Sequence, residues 1–352
     1  MRFILFVGTG NSLADAEVNN KLPGATLFAP YTYEFRLNTE EEAINKVSKL
    51  GCSLKLLSEL SASGIEAEDI AKEIFAKNFS VATLGEKESS EDIQFKIKEL
   101  LKKGRFVNSK DVFGLSPLIV KKQKVDEIFI DKSSSTLLKT IWVHDFEHWI
   151  AKDRNMPRVN AKAGMLPPKI ARSMVNLLPI DIESGKTLVD PFCGSGRVLV
   201  EASELGYTVK GADISNEQVD DTKTNLKYLN IDGEVKVHDA VHLSEIYKDV
   251  DAIVTEPFLG KPNIRPDESR YVAPGLEKLY LGALKDWQRV LKPGGYVVMV
   301  FPILPGVKTE YKTSQVIDDK HLLGYNQLTR GLVYSRPEAD IKREIVILQK
   351  QK

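Results

Sequence analysis

The chain has 352 residues, 42% of them hydrophobic, and its 49 Lys and Arg are balanced by 49 Asp and Glu. At about 100–200 residues per domain this predicts two or three domains whose cores need no staples, and zero net charge makes any basic surface local. Two cysteines, no paired C-x-x-C and no apolar run of about 18 residues argue against a disulfide scaffold, a structural zinc and a transmembrane helix. The opening MRFILFVGTGN lacks a signal-peptide cleavage pattern, so a reducing cytoplasm is expected and no metal site.

Arg2 to Val7 reads as a strand and Gly8 to Asn11 as a turn. Ser12 suits an N-cap for a helix near Leu13, with Asp15 and Glu17 in its first turn. G-T-G-N-S invites a phosphate-loop reading, but the Lys-Ser/Thr pair is missing, which favours a plain turn. Leu27 to Phe35 gives more strand, Thr39 to Leu50 an amphipathic helix, and Ser53 to Leu57 another strand. This alternation predicts a small split-βαβ, ferredoxin-like module over residues 1–60.

A second module is expected over residues 61–150. Glu66 to Phe75 and Ile93 to Lys103 read as helices; Phe79 to Thr83, Val107 to Asp111, Val125 to Ile130 and Thr136 to Val143 read as extended. Its cations cluster as Lys102, Lys103, Arg105 and Lys110, then Lys121, Lys122 and Lys124. They form either a solvated face or a phosphate-gripping patch that reads no bases. No aromatic ladder interleaves them, so a stacking platform for single strands is not supported. Residues 151–164, AKDRNMPRVNAKAG, break the periodicity and read as a linker carrying Lys152, Arg154, Arg158 and Lys162.

The remainder, 165–352, opens with MLPPKIARSMVNLL, where Pro167 and Pro168 sit at a helix start. Leu188 to Asp190 then ends a buried strand, Gly194 and Gly196 make a side-chain-free turn, and Arg197 to Glu201 begin a helix. Such a turn lets a ligand approach backbone N–H groups and a helix N-terminus. The NAD pattern G-x-G-x-x-G is absent; D-P-F-C-G-S-G instead resembles the S-adenosylmethionine (SAM) loop of amino-directed methyltransferases. Asp213 ends the next strand, about 20 residues on, where a carboxylate suits a ribose diol; a helix cap or a solvent-facing acid is the alternative. Asp239-Ala240 ends the third strand, within reach of an adenine amino group. Asp251 to Val254 is the fourth strand, Leu276 to Val290 a helix, Tyr296 to Phe301 the fifth strand, and Glu344 to Leu348 closes a doubly wound, Rossmann-like α/β sheet.

The fourth strand runs into Thr255-Glu256-Pro257-Phe258-Leu259-Gly260. Amino-methyltransferases carry [DNS]-P-P-[YFW] there: a polar side chain and a carbonyl accept from the amine and an aromatic stacks on the base. In one alignment Glu256 replaces the acid, Pro257 the first proline, Phe258 the second and Leu259 the aromatic; shifted by one, Thr255 and Glu256 replace the first two positions while Pro257 and Phe258 match the proline and aromatic. Glu256 is favoured as acceptor and proton sink, the Pro257 carbonyl as second acceptor and Phe258 as stacker. Glu is one methylene longer than Asp, and a structural turn in a non-catalytic protein is the competing reading. His144, His148 and His238 are isolated and read as surface or packing residues.

KDRNMPRVNAKAGMLPPKIARSMVNL, DPFCGSG and GADIS together resemble the THUMP-domain tRNA guanosine N2-methyltransferases of the guanosine-10 type. FVGTGNSLADAE and FSVATLG look like that family's amino-terminal modules. The likeness is strong from Asp153 to Ser215, weak before residue 150, and broken at Glu256 to Leu259. It implies that Pro167, Pro168 and Lys169 line the methionine end of SAM. It further implies that Asp190, Pro191, Phe192, Cys193, Gly194, Ser195 and Gly196 hold its carboxypropyl and ribose. Asp213, with Ile214, would take the ribose hydroxyls, and Asp239, with Ala240, the adenine. It implies tRNA as partner, gripped by shape and phosphate, with Lys102, Lys103, Arg105, Lys121, Lys122, Arg154 and Arg158 the cations to do so. Some members of the family use a small activating protein. The competing functions are a DNA adenine-N6 or cytosine-N4 methyltransferase and a non-catalytic RNA-binding paralogue.

Overall fold

The computed structural model describes residues 1–8, 12–61, 64–86, 91–109, 111–158, 166–180, 185–318, 322, 324–335 and 339–352. They divide into two compact units. One holds the first strand and the chain from Lys21 to His148; the other holds the first helix up to Asn20 and the chain from Trp149 to Lys352. Most of the expected G-T-G-N-S turn, residues 9–11, lies outside the described residues.

The chain begins with β1 (Arg2–Val7) and α1 (Ser12–Lys21). A hairpin of β2 (Thr26–Ala29) and β3 (Thr32–Arg36) follows where one strand was expected. Pro30 has no N–H for a ladder and Tyr31 takes a left-handed φ of 61°, so the run folds back on itself. Next come α2 (Glu40–Val47), whose start is capped by Thr39, and β4 (Ser53–Glu59). Beyond it lie α3 (Ala67–Lys72), β5 (Asn78–Thr83), α4 (Glu91–Leu100) and β6 (Arg105–Phe106). The extended stretch expected at Val107 to Asp111 is shorter and earlier, and Lys110 lies outside the described residues. A helix the periodicity did not predict, α5 (Pro117–Gln123), follows; Ser116 caps it and Pro117 fixes its first turn. The unit's strands end with β7 (Val125–Asp131) and β8 (Thr136–Val143).

These eight strands form one sheet in the order β2-β3-β1-β4-β8-β7-β5-β6. The stretches expected as two modules, 1–60 and 61–150, meet in it through the antiparallel β4–β8 pair, with Leu57 opposite Thr140.

Helix α6 (Phe146–Arg154) leads into the second unit and occupies the beginning of the expected linker; residues 159–165 lie outside the described residues. Lys152, read as a polar linker residue, is buried. Its amine sits between Glu201 and Glu204, at 2.9 and 2.8 Å, and 4.1 Å from the Trp149 ring centroid. Burial is tolerable because the charge is paired and stacked. Then come α7 (Pro168–Asn176), β9 (Thr187–Asp190), α8 (Arg197–Glu204), β10 (Thr208–Asp213) and α9 (Asn216–Tyr228). They are followed by β11 (Gly233–Val237), β12 (Val250–Thr255), α10 (Ser269–Val290) and β13 (Leu291–Leu304). The short β14 (Tyr311–Lys312), then β15 (Tyr325–Tyr334) and β16 (Lys342–Lys350), complete the unit.

The sheet order is β11-β10-β9-β12-β13-β16-β15. Its first five strands run parallel; β16 runs antiparallel to β13, and β15 antiparallel to β16. Thus β16 does not close the sheet: β15, unpredicted, lies outside it. Side chains alternate across the sheet as the pleat requires. Leu188, Ala252, Val254, Val298 and Ile345 enter the core on one face, with Met174, Val200 and Leu226 from the helices. Val189, Ile253, Val297 and Val346 enter the other, with Leu284 and Trp287 of α10. The strand order reverses between β9 and β12, which opens a crevice beyond their carboxyl ends.

Helix α1 belongs to this unit although β1 does not. Its Leu13 joins the core. The fully buried Glu17 accepts from Ser173 Oγ and Asn176 Nδ2, both at 2.6 Å. Asn20 donates to the carbonyls of Asn176 and Leu178, satisfying groups that the end of α7 leaves open.

Candidate active site

The crevice carries the glycine loop. Gly194 and Gly196 have φ of 51° and 88°, values that a side chain would oppose. A Cβ on Gly196 would meet Thr222 Cγ2 at 3.0 Å, so α9 presses against the turn. The loop is held from behind by α9. Thr222 Oγ1 donates to the Gly194 carbonyl at 2.5 Å and Asn225 Nδ2 to the Ser195 carbonyl at 2.9 Å. The Asn225 side chain also pairs with both backbone groups of Arg158.

A cavity of about 180 Å³ brings together Asp190, Phe192, Cys193, Gly194, Ser195 and Glu256, walled by Leu166, Arg197, Val198, Gln218 and Asp221. Asp190 is buried at the end of β9. Thr255 Oγ1, the last residue of β12, donates to it at 2.6 Å, and the Phe192 amide at 3.1 Å. Its carboxyl is pushed up to about 7, chiefly by burial, with the charges of Asp213 and Glu256 adding to the shift. Cys193 is buried and its thiol is raised far above its ordinary range by burial, so it is packing rather than a nucleophile.

Asp213 is placed beside the loop but not in the cavity wall. Its Oδ2 accepts from the Gly194 amide at 3.0 Å and its Oδ1 from the Ser215 amide at 3.0 Å. One amide expected to face a ligand is therefore engaged by the acid expected to hold a ribose. Ile214 beside it is 73% exposed. Asp239 caps the turn at Ala240 by accepting from the Val241 amide at 3.1 Å. Pro168 starts α7, preceded by its cap Pro167, and the Lys169 amine lies 5.7 Å from the Trp149 ring centroid. Leu166, not these three, lines the cavity.

After β12, Glu256 Oε1 accepts from Arg343 Nε at 2.5 Å. The Phe258 carbonyl accepts from Tyr280 OH at 2.7 Å while its ring is 57% exposed. Leu259 packs against the core. Asn225, Gln218 and Arg343 were not singled out from the sequence, and Thr255 was weighed only as a member of the shifted motif, not as a partner of Asp190. Arg343 carried one faint signal, a cation set against the apolar run of β16.

The expected RNA-binding cations are all exposed. Lys102 and Lys103 follow α4 and Arg105 lies on β6. The Lys121 and Lys122 amines lie 5.4 and 5.8 Å from the Phe146 ring centroid, and Lys121 pairs with Asp145 at 2.9 Å. Arg154 ends α6, and Arg158 Nε lies 3.4 Å from Asp221.

The donor set fits SAM. The cavity is lined by three carboxylates, Asp190, Asp221 and Glu256, which suits a ligand carrying a sulfonium and an ammonium. The cation in the wall, Arg197, is turned away to the carbonyls of Lys152 and Asp153.

Comparison with known proteins agrees. Residues 155–326 match the family described as an RMKL-like methyltransferase domain, and residues 74–224 also match a DNA methylase family. The crystal structure of TrmN from Thermus thermophilus superposes over 99% of this chain and 100% of its own, with a TM-score of 0.58 at 18% identity, a likeness of fold. The second unit thus carries a Rossmann-like sheet, and residues 155–326 within it match a methyltransferase-domain family.

The chain is also similar to curated guanine N2-methyltransferases. A tRNA (guanine(10)-N2)-dimethyltransferase of Methanothermobacter thermautotrophicus is 39% identical over 140 residues, 40% of this chain and 39% of its own. One of Pyrococcus abyssi is 31% identical over 187 residues, 52% of this chain and 50% of its own. The human U6 snRNA (guanine-N(2))-methyltransferase THUMPD2 is 29% identical over 147 residues, 41% of this chain and 27% of its own. The matches therefore span at most half the length of these curated relatives.

Proposed function

We propose that the protein transfers a methyl group from SAM to N2 of a guanosine in tRNA. The observation that carries this is the meeting of Asp190, from the glycine loop, and Glu256, from the end of β12, in one cavity wall. When bound, SAM supplies an electrophilic methyl on a sulfonium that departs as a neutral thioether. The chain's residues do the rest. Glu256 and the Pro257 carbonyl accept from the exocyclic N–H groups, restoring lone-pair density that the ring withdraws. Phe258, exposed beside them, offers a face for a base extruded from its stack. Pro167, Pro168, Lys169, Asp213 and Asp239 are assigned to the cofactor by the resemblance.

The first unit is read as a THUMP-type RNA-gripping module. Arg105 lies opposite Asn78 in the β5–β6 pair, and Asn78 Nδ2 donates to the Gln123 carbonyl. The two basic clusters therefore flank one asparagine. No helix among the described residues is long and apolar enough to cross a membrane; a tRNA substrate implies work in the cytoplasm.

The test is purified protein with labelled SAM and bulk tRNA, followed by nucleoside analysis. N2-methylated guanosine is the expected product. Label in DNA but not RNA would favour the DNA amino-methyltransferase reading. Label in U6 snRNA alone would keep the chemistry and change the substrate. RNA binding without transfer to any nucleic acid would make the protein a non-catalytic paralogue.

A further inference from the structure

We propose that Arg343 is a positioning residue for methyl transfer, holding Glu256 at the cavity wall as a hydrogen-bond acceptor. The proposal rests on the reading of Glu256 as the acceptor of the amine. A glutamate has one more rotatable bond than the aspartate expected there, so its carboxylate needs an external anchor to occupy one place. The topology supplies one. β12 runs parallel to β13, with Thr255 opposite Met299, and β16 runs antiparallel to β13, with Met299 opposite Val346 and Pro302 opposite Arg343. The start of β16 therefore arrives at the carboxyl end of β12, and Arg343 reaches past β13 to Glu256.

The pair is 10% and 15% exposed, with Nε and Oε1 at 2.5 Å. A charge-assisted bond in such a place is stronger and more directional than one in water. Arg343 does not line the cavity, so its effect passes through Glu256. Held this way, Glu256 accepts from the amine N–H while the methyl arrives, and the proton that the methylated nitrogen then releases passes through this carboxylate to water.

Steady-state and single-turnover methyl transfer to RNA would be measured for wild type, Arg343→Gln, Arg343→Lys, Glu256→Gln and the Arg343→Gln/Glu256→Gln double variant. SAM affinity by calorimetry and thermal unfolding would be followed alongside. Arg343→Gln is expected to lower kcat by about 10–100-fold, the scale of a misplaced catalytic group, with KM for both substrates nearly unchanged. Arg343→Lys should recover part of the loss. The double variant should be no slower than Glu256→Gln alone, because both changes act on one group. Should Arg343→Gln unfold, the double variant, which removes both charges together, still decides. A wild-type kcat in Arg343→Gln, or a double variant whose losses multiply, overturns the proposal. A wild-type protein that binds SAM yet methylates no guanine overturns the reading beneath it, and the proposal with it.

Discussion

Asp190 shows how a single side chain couples the site to stability. Its ordinary value is 3.8 and the fold raises it to about 7, mainly by burial. Between those values the unfolded chain has released the proton and the fold retains it. Stability should therefore fall as pH rises from about 4 to about 7 and level off above, by roughly 4 kcal/mol at most. Asp190→Asn can still accept from Thr255 and the Phe192 amide, so it should flatten that slope. Denaturant unfolding of both proteins at pH 5 and pH 8 checks this, and an undiminished slope in the variant would assign the effect elsewhere. The residues of the glycine loop were legible because the turn writes its needs into neighbouring positions: two glycines, an acid before, a helix after. The contacts of Thr255 and Arg343 were not, because they meet partners 65 and 87 positions away. No local pattern records such a meeting.

At the scale of elements, polar anchors fix the helices that surround the sheet. Glu17 is fully buried with two donors turned to it from α7. Glu17→Ala should leave Ser173 and Asn176 without that acceptor and cost about 1–3 kcal/mol; urea unfolding monitored in the second unit measures it. The sequence presented α1 as a first-turn acid pattern and so assigned it to its neighbours in the chain. What α1 packs on is a tertiary fact that its own periodicity does not carry. The same limit explains β15: a strand at a sheet edge with few buried side chains lacks the alternation that betrays half-buried strands. By contrast β9, β12 and β13 carry apolar runs bounded by acids or glycines, and each was read correctly in kind.

For the whole molecule, zero net charge leaves nucleic-acid attraction to local clusters. Reversing Lys102, Lys103 and Arg105 to Glu should weaken tRNA binding with little effect on SAM binding. It should also flatten the plot of log affinity against log salt by about 0.7–0.9 for each phosphate no longer neutralised. Filter binding over a salt series reads this, and an unchanged slope would return those cations to a solvated face. The division of the chain was legible in outline, since the composition breaks near residue 150. What was missed is that the eight strands before it share one sheet.

That α1 lies in the second unit has a consequence for how the protein is made. Ser12 Oγ accepts from the Val333 amide, 321 positions later. On the ribosome α1 emerges well before its host: its anchors on α7 follow 156 and more positions later, and its bond to β15 only after 321. Nascent chains arrested short of α7 should expose Leu13 to chaperones, even where the strands around β1 have already closed.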